Sequence, residues 1–204
     1  MATEDRAPSD EQLAALAQQA PEGDTRAFEE LVRRHERRVL TNCRYITRRP
    51  EESEDLAQEV FVKAFFRIGQ FERRATFRTW LQRIKVNHCL NFLRRRDERA
   101  AADVDDPALA NEPGLAHEPE ADAAMRQRDR RRLIGRVLDE MADTLRIPLL
   151  MRDMDELSYE EIAAELGLGL SAAKMRVKRA REEFRRRFAE LERTASAPRG
   201  AGGP

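Results

Sequence analysis

The spacing of the apolar residues constrains this chain most, because wherever they cluster they recur three or four positions apart. From Asp24 onward Phe28, Leu31, Val32, His35, Val39, Cys43 and Ile46 form one helical stripe. In PEESEDLAQEVFVKAFFRI a broader face follows, made by Leu56, Ala57, Val60, Phe61, Ala64, Phe65 and Ile68. A third helix is expected in FRTWLQRIKVNHCLNFLRRR, Phe77 to Arg96, and a further helical block from about Arg126 to Glu192. Pro50 ends the first stripe and suits the start of the next helix, and Pro148 is expected near another helix start. Long Ala, Leu, Glu and Arg runs favour helix throughout. The expected fold class is all-α.

Charge divides the chain. The 204 residues have a formal net charge of zero, and 37% of them are charged against 41% hydrophobic, enough for modest helical cores but not for a large buried sheet. Residues 23–99 hold 19 basic and 12 acidic groups, whereas residues 100–124 hold seven acidic groups, three prolines and no basic residue. Residues 125–193 are basic again, with 17 against 14. A segment of that acidic composition buries too little apolar area to offset the entropy of ordering. The expectation is two small helical domains, 24–99 and 125–193, joined by a flexible acidic linker over 100–124. A short extension over 1–23 precedes them, with a Ser9–Gln12 capping-box pattern, and a disordered tail over 194–204 follows. Basic blocks flanking an acidic linker suit nucleic-acid contact, and a solvated mixed-charge surface suits them equally.

Cys43 and Cys89, the only cysteines, lack metal-ligand spacing and read as small buried hydrophobes. His88 and Cys89 are neighbours that point about 100° apart on a helix, so they do not chelate together. His35 reads as a half-buried helix residue. No ligand cluster, nucleophile–base pair or Gly-rich phosphate loop is present, so no catalytic residue, cofactor or metal is expected. No apolar run is long enough to span a membrane and no signal peptide is recognised, so the expected location is cytoplasmic, without membrane insertion.

The clearest local pattern is LSYEEIAAELGLGLSAAKMRVKRAREEFRRRF. Ser158 and Glu161 make a capping box, and Leu157 with Ile162 forms a hydrophobic staple. Gly167 and Gly169 stop that short helix, and Ser171 occupies the expected N-cap of the next. Ala163, Leu166, Leu168, Leu170, Ala173 and Val177 would lock the two helices together. This is a helix-turn-helix pattern, and from Lys174 to Arg187 it carries eight basic and two acidic residues. Ser171, Ala172, Met175 and Arg176 are placed to meet base edges, whereas Lys174, Lys178, Arg179 and Arg181 suit phosphates.

In Phe77–Arg96 the residues Thr79, Arg83, Asn87 and Asn91 make a continuous i, i+4 stripe, flanked by Arg78, Gln82 and Lys85. Trp80, Leu81, Ile84 and Leu90 turn toward the core. No acid interrupts the segment, and its amides and guanidinium groups suit contacts to both bases and phosphates. A solvated basic face is the plainer alternative.

ESEDLAQEVFVKAFFRIGQFERRATFRTWLQRIKVNHCLNFLRRR resembles region 2 of the extracytoplasmic-function (ECF) sigma factors, bacterial transcription-initiation subunits. LRIPLLMRDMDELSYEEIAAELGLGLSAAKMRVKRAREEF resembles their region 4. The resemblance implies a specificity subunit that binds core RNA polymerase and melts promoter DNA. Asp55, Gln58 and Glu59 would dock on the clamp of the largest polymerase subunit, and region 4 on the flap of the second-largest. Arg73, Arg74, Ala75 and Thr76, in FERRATF, match the loop that receives a base flipped from the −10 element. Thr79, Trp80, Arg83 and Asn87 match the adjoining −10 contact surface. The helix-turn-helix would dock on the −35 element, and the linker is similar in placement to a segment threading toward the RNA path. An anti-sigma factor is a further implied partner.

Four positions depart from the family pattern. Arg73-Arg74 replaces a frequent Gly-Asp pair, Ala173 replaces a bulkier aliphatic, and Glu156 replaces a turn glycine. A stand-alone helix-turn-helix regulator would explain residues 157–188 but leave Phe77–Arg96 without a purpose. A purely protein-binding adaptor would explain neither basic helix.

Overall fold

The computed structural model describes residues 7–102 and 122–196, with side chains described for 7–98 and 128–194. Among the described residues all regular structure is helical. They fall into two compact units, one on either side of residues 103–121. Most of the expected linker and tail therefore lies outside the described residues. The outer positions of the linker, 100–102 and 122–124, are helical.

The first unit contains α1 (Asp10–Gln19), α2 (Arg26–Thr47), α3 (Ser53–Arg67), a 3-10 turn (Ile68–Gln70) and α4 (Phe77–Ala102). Ser9 and Gln12 form the expected capping box: the Gln12 amide donates to Ser9 Oγ (3.2 Å) and the Ser9 amide to Gln12 Oε1 (2.7 Å). α1, which lies ahead of residue 24, packs on α2, the 3-10 turn and α4, burying Leu13 and Ala14. The core is drawn from Leu31, Val39, Cys43 and Ile46 of α2, Leu56, Val60 and Ala64 of α3, and Phe77, Leu81, Val86 and Cys89 of α4. Each such aliphatic or aromatic side chain contributes about 1.5–3 kcal/mol when fully buried.

α2 stops where Arg48 turns left-handed (φ +56°), its amide donating to Arg44 O at 2.9 Å. Pro50 lies in the turn that follows and not in the first turn of a helix, because α3 begins only at Ser53. Cys43 and Cys89 are buried free thiols with their sulfurs 3.6 Å apart, facing each other between α2 and α4. His35 is more deeply buried than expected, and its Nε2 lies 2.8 Å from Asp10 Oδ2.

α4 departs from its sequence reading on one side. Gln82 and Lys85, expected to flank the polar stripe, are fully buried, and Trp80 and Leu90, expected in the core, are only half-buried. α1, α2 and α3 all contact α4, and its buried arc takes in Gln82 and Lys85 as well as the apolar residues.

The second unit contains α5 (Asp122–Glu140), α6 (Asp143–Asp153), α7 (Tyr159–Leu166) and α8 (Leu170–Ser196). Val137, Leu138, Met141, Ile147, Leu150, Met151, Leu157, Ile162, Ala173 and Val177 form its core. Pro148 lies inside α6, five residues beyond its first residue, and not near its start. α7 begins with the expected capping box: the Glu161 amide donates to Ser158 Oγ (3.1 Å) and the Ser158 amide to Glu161 Oε2 (2.6 Å). Gly167 ends it with φ +62°, a conformation that costs glycine nothing. α8 then starts at Leu170, with the Ala173 amide bonding Gly169 O (3.0 Å), so Gly169 and not Ser171 is its cap. Leu170 does not lock the two helices but is 39% exposed, and Leu166 and Leu168 are half-buried.

Candidate nucleic-acid interface

α4 exposes Arg83, Asn87 and Asn91, with Thr79 and Trp80 half-buried at the near end of the same stripe. Asn91 is partly engaged, its Oδ1 accepting from Arg94. The sides of α4 that face α2 and α3 bury Leu81, Ile84 and Cys89.

The loop 72–76 leads into this stripe. Glu72, Arg73, Arg74 and Thr76 are exposed and Ala75 is half-buried. Arg73 adopts φ +59°, the left-handed region where a Cβ is disfavoured, so the Arg73-Arg74 substitution keeps a glycine-like backbone with a side chain on it. Thr76 caps α4: the Thr79 amide donates to its Oγ1 at 3.1 Å, and the Trp80 amide to its carbonyl at 3.0 Å. Its hydroxyl oxygen is thus committed to the helix and not left for a ligand alone. Arg74 pairs with Glu72 at 2.8 Å on the surface. Beneath the loop lies an aromatic cluster, Phe71 against Phe77 (5.8 Å) and Trp80 (5.5 Å), with Phe77 against Trp80 (5.6 Å) and His35 (5.5 Å). α1 reaches both ends of the loop: Gln18 Nε2 donates to Ile68 O and Phe71 O, each at 2.9 Å, and Phe77 N donates to Glu11 Oε1 at 3.3 Å.

On α3 the residues Asp55, Gln58 and Glu59 are all exposed. Glu59 also faces His88, with Oε2 3.0 Å from Nε2, and Lys63 Nζ donates to the Nδ1 of the same ring. Burial, then the Lys63 charge, holds His88 below its ordinary pKa of 6.5. The exposed row on α3 extends beyond the residues that the sequence reading named. Val62 (54% exposed) and Phe66 (79% exposed) continue the Asp55–Glu59 row at helical spacing. Their helical spacing from Asp55 and Glu59 is visible in the sequence, but both residues are apolar, and the sequence reading assigned them to neither the apolar face nor the polar one.

The second unit presents α8. Ser171, Ala172, Lys174, Met175, Lys178 and Arg179 are exposed, and Arg176 and Arg181 are half-buried. Two of the cations have partners within the protein. Arg181 forks onto Asp153 at the end of α6 (3.1 and 3.2 Å from Nε), a hydrogen bond that raises its pKa further. Lys174 leans over the Tyr159 ring (5.9 Å), which also stacks under Arg152 (4.8 Å). The turn before α7 is made with Glu156 at φ +62°, and the Leu157 amide bonds Met151 O (3.0 Å). Ala173 is fully buried where α7 crosses α8.

The chain matches the Sigma-70 region 2 family model over residues 31–99 and the Sigma-70, region 4 model over residues 131–184. It is similar to the RNA polymerase sigma-H factor of Pseudomonas aeruginosa, 30% identical over 189 residues that span 91% of this chain and 98% of that protein. It is also similar to the ECF RNA polymerase sigma-E factor of Escherichia coli strain K12, 33% identical over 82% of this chain and 89% of that protein. Among solved structures, CnrH in complex with the cytosolic domain of CnrY has a TM-score of 0.56 at 26% identity, over 90% of this chain and 97% of that one. The sigma factor RpoE of Bartonella quintana, in complex with the anti-sigma factor NepR, has a TM-score of 0.62 at 19% identity over 79% and 96%, a likeness of fold.

Proposed function

The chain belongs to the ECF RNA polymerase sigma factors and directs transcription initiation, and from that premise we propose how its two units divide the work. The first unit binds core polymerase and opens the −10 element, and the second holds the −35 element. The observation that carries this reading is the acid-free stripe of Arg83, Asn87 and Asn91 exposed on α4, the helix into which the exposed loop 72–76 leads. Guanidinium and amide groups in one row can hold phosphates and base edges of a single strand together.

α3 supplies the polymerase contact. Asp55, Gln58 and Glu59 give it charge and hydrogen bonds, and Val62 and Phe66 give it an apolar anchor of the kind that dominates interface energies. α8 enters the major groove with Ser171, Ala172, Met175 and Arg176 toward the bases, while Lys174, Lys178 and Arg179 hold phosphates. Arg181 contributes less there, because Asp153 already neutralises it. Polymerisation stays with the core enzyme, and no residue of this chain is catalytic. The protein acts in the bacterial cytoplasm, where polymerase and promoter are. An anti-sigma protein is a further proposed partner, and CnrH, 26% identical to this chain and in complex with the cytosolic domain of CnrY, supports binding of a protein partner.

The test is transcription from genomic fragments by purified core polymerase with and without this protein. The reading predicts new, discrete start sites that require the protein. Core that gains no start sites, alongside footprints made by the protein alone on duplex DNA, would replace it with a stand-alone regulator.

A further inference from the structure

The contacts of α1 converge on one place. Gln18 spends both hydrogens of its amide on Ile68 O and Phe71 O, at the two ends of the 3-10 segment that leads into the loop 72–76. Glu11 accepts the amide of Phe77, the first residue after the loop. One ten-residue helix therefore grips both ends of a five-residue loop from about 50 and 66 positions away in sequence.

α1 is itself fixed to α2. Asp10 pairs with His35 (2.8 Å) and Arg34 (3.0 Å) of α2, Arg34 donates to Pro8 O (2.8 Å), and Leu13 and Ala14 are buried. Within the loop the restraints are few: an exposed Arg74–Glu72 pair and the Thr76 cap, with Arg73 in a disfavoured backbone region. Exposed pairs restrain little. A pocket for a flipped base must already have its shape when the base arrives, because unstacking costs a few kcal/mol that only a preformed pocket offsets. Shifts of about 1 Å suffice to spoil such positioning.

We propose that α1 is the brace of the base-capture loop, with Gln18 and Glu11 as positioning residues that touch no DNA. The proposal rests on the promoter reading above and deepens it. It separates α1 from the polymerase contact: neither residue lies on the Asp55–Phe66 face of α3.

The experiment uses the complete chain with core polymerase at a promoter found by start-site mapping. It compares wild type, Gln18→Met, Glu11→Leu and, as a control, the exposed Gln19→Ala. Permanganate reactivity of unpaired thymines reads strand opening, and fluorescence anisotropy reads affinity for core. Both brace variants are expected to lose about ten-fold in the opened fraction while affinity for core stays within about two-fold, the size expected when one or two hydrogen bonds are removed. Gln19→Ala changes neither. If Gln18→Met does not fold, Glu11→Leu, at the other end of the loop, carries the same expectation alone. Full opening by the folded brace variants overturns the proposal, and so does a parallel loss of core affinity, which would make α1 a support of the whole unit. Wild-type holoenzyme that opens no promoter overturns the promoter reading and the brace with it.

Discussion

Gln82 is buried with neither amide atom hydrogen-bonded, in the middle of a helix whose next residue, Arg83, is exposed. Helical spacing put Gln82 beside the polar stripe, and nothing in its residue type could have signalled burial. Replacing it with Met keeps the shape and removes the unmet polar atoms, so Gln82→Met should stabilise the first unit by about 1–2 kcal/mol, read as a higher calorimetric Tm. Arg73 is the opposite case, a residue whose substitution for glycine was visible but whose conformation was not. At φ +59° an arginine is strained, and Arg73→Gly should gain about 1 kcal/mol. His88 offers a test by pH. Its folded pKa is depressed by burial and by Lys63, with Glu59 acting weakly the other way. The unfolded chain therefore binds more protons, and stability falls as pH drops through and below about 6.5. His88→Gln should flatten that part of the Tm–pH curve, leaving the fall below pH 4.5 from carboxylates such as Glu30 and Glu183, whose pKa values arginine hydrogen bonds lower.

Elements marked by local backbone signals were legible, and the polar part of the buried arc of α4 was not. α7 announced itself through Ser158, Glu161 and Gly167, each with a local backbone reason, and Ser158→Ala should cost about 1 kcal/mol in the second unit. α8 was found but its cap was misplaced, because Gly169 can serve as one and Ser171 merely resembles one. α4 is enclosed by α1, α2 and α3, so polar residues occur on its buried and exposed sides alike. Its exposed row, Arg83, Asn87 and Asn91, was nonetheless anticipated, since absence of acid is a compositional signal that enclosure does not erase. What sequence could not reveal was Gln18 meeting Ile68 and Phe71, a contact made only by folding. Within α8, exposure separates the cations. Replacing Lys178 and Arg179 together by Ala should lower the salt slope of DNA binding by about two, one for each phosphate no longer neutralised. Arg181→Ala should lower that slope by less than either of those cations does, because Asp153 already pairs with it, and should change the Tm of the second unit little, because the pair is open to solvent.

Across the molecule, two basic blocks are offset by an acidic stretch between them and by the acidic first 22 residues. That division anticipated the two compact units, whereas on DNA binding it left a solvated mixed-charge surface equally open, and the helix-turn-helix pattern carried that reading. The central claim is that both units read one promoter through a shared polymerase. It is tested most directly by footprinting a mapped promoter with holoenzyme made from wild type, Asn87→Ala and Lys174→Ala/Arg176→Ala. The account predicts two separate protected segments that appear only with core, the downstream one weakened by Asn87→Ala and the upstream one by the α8 double variant. A single footprint formed without core, or the same loss from both variants, would contradict it.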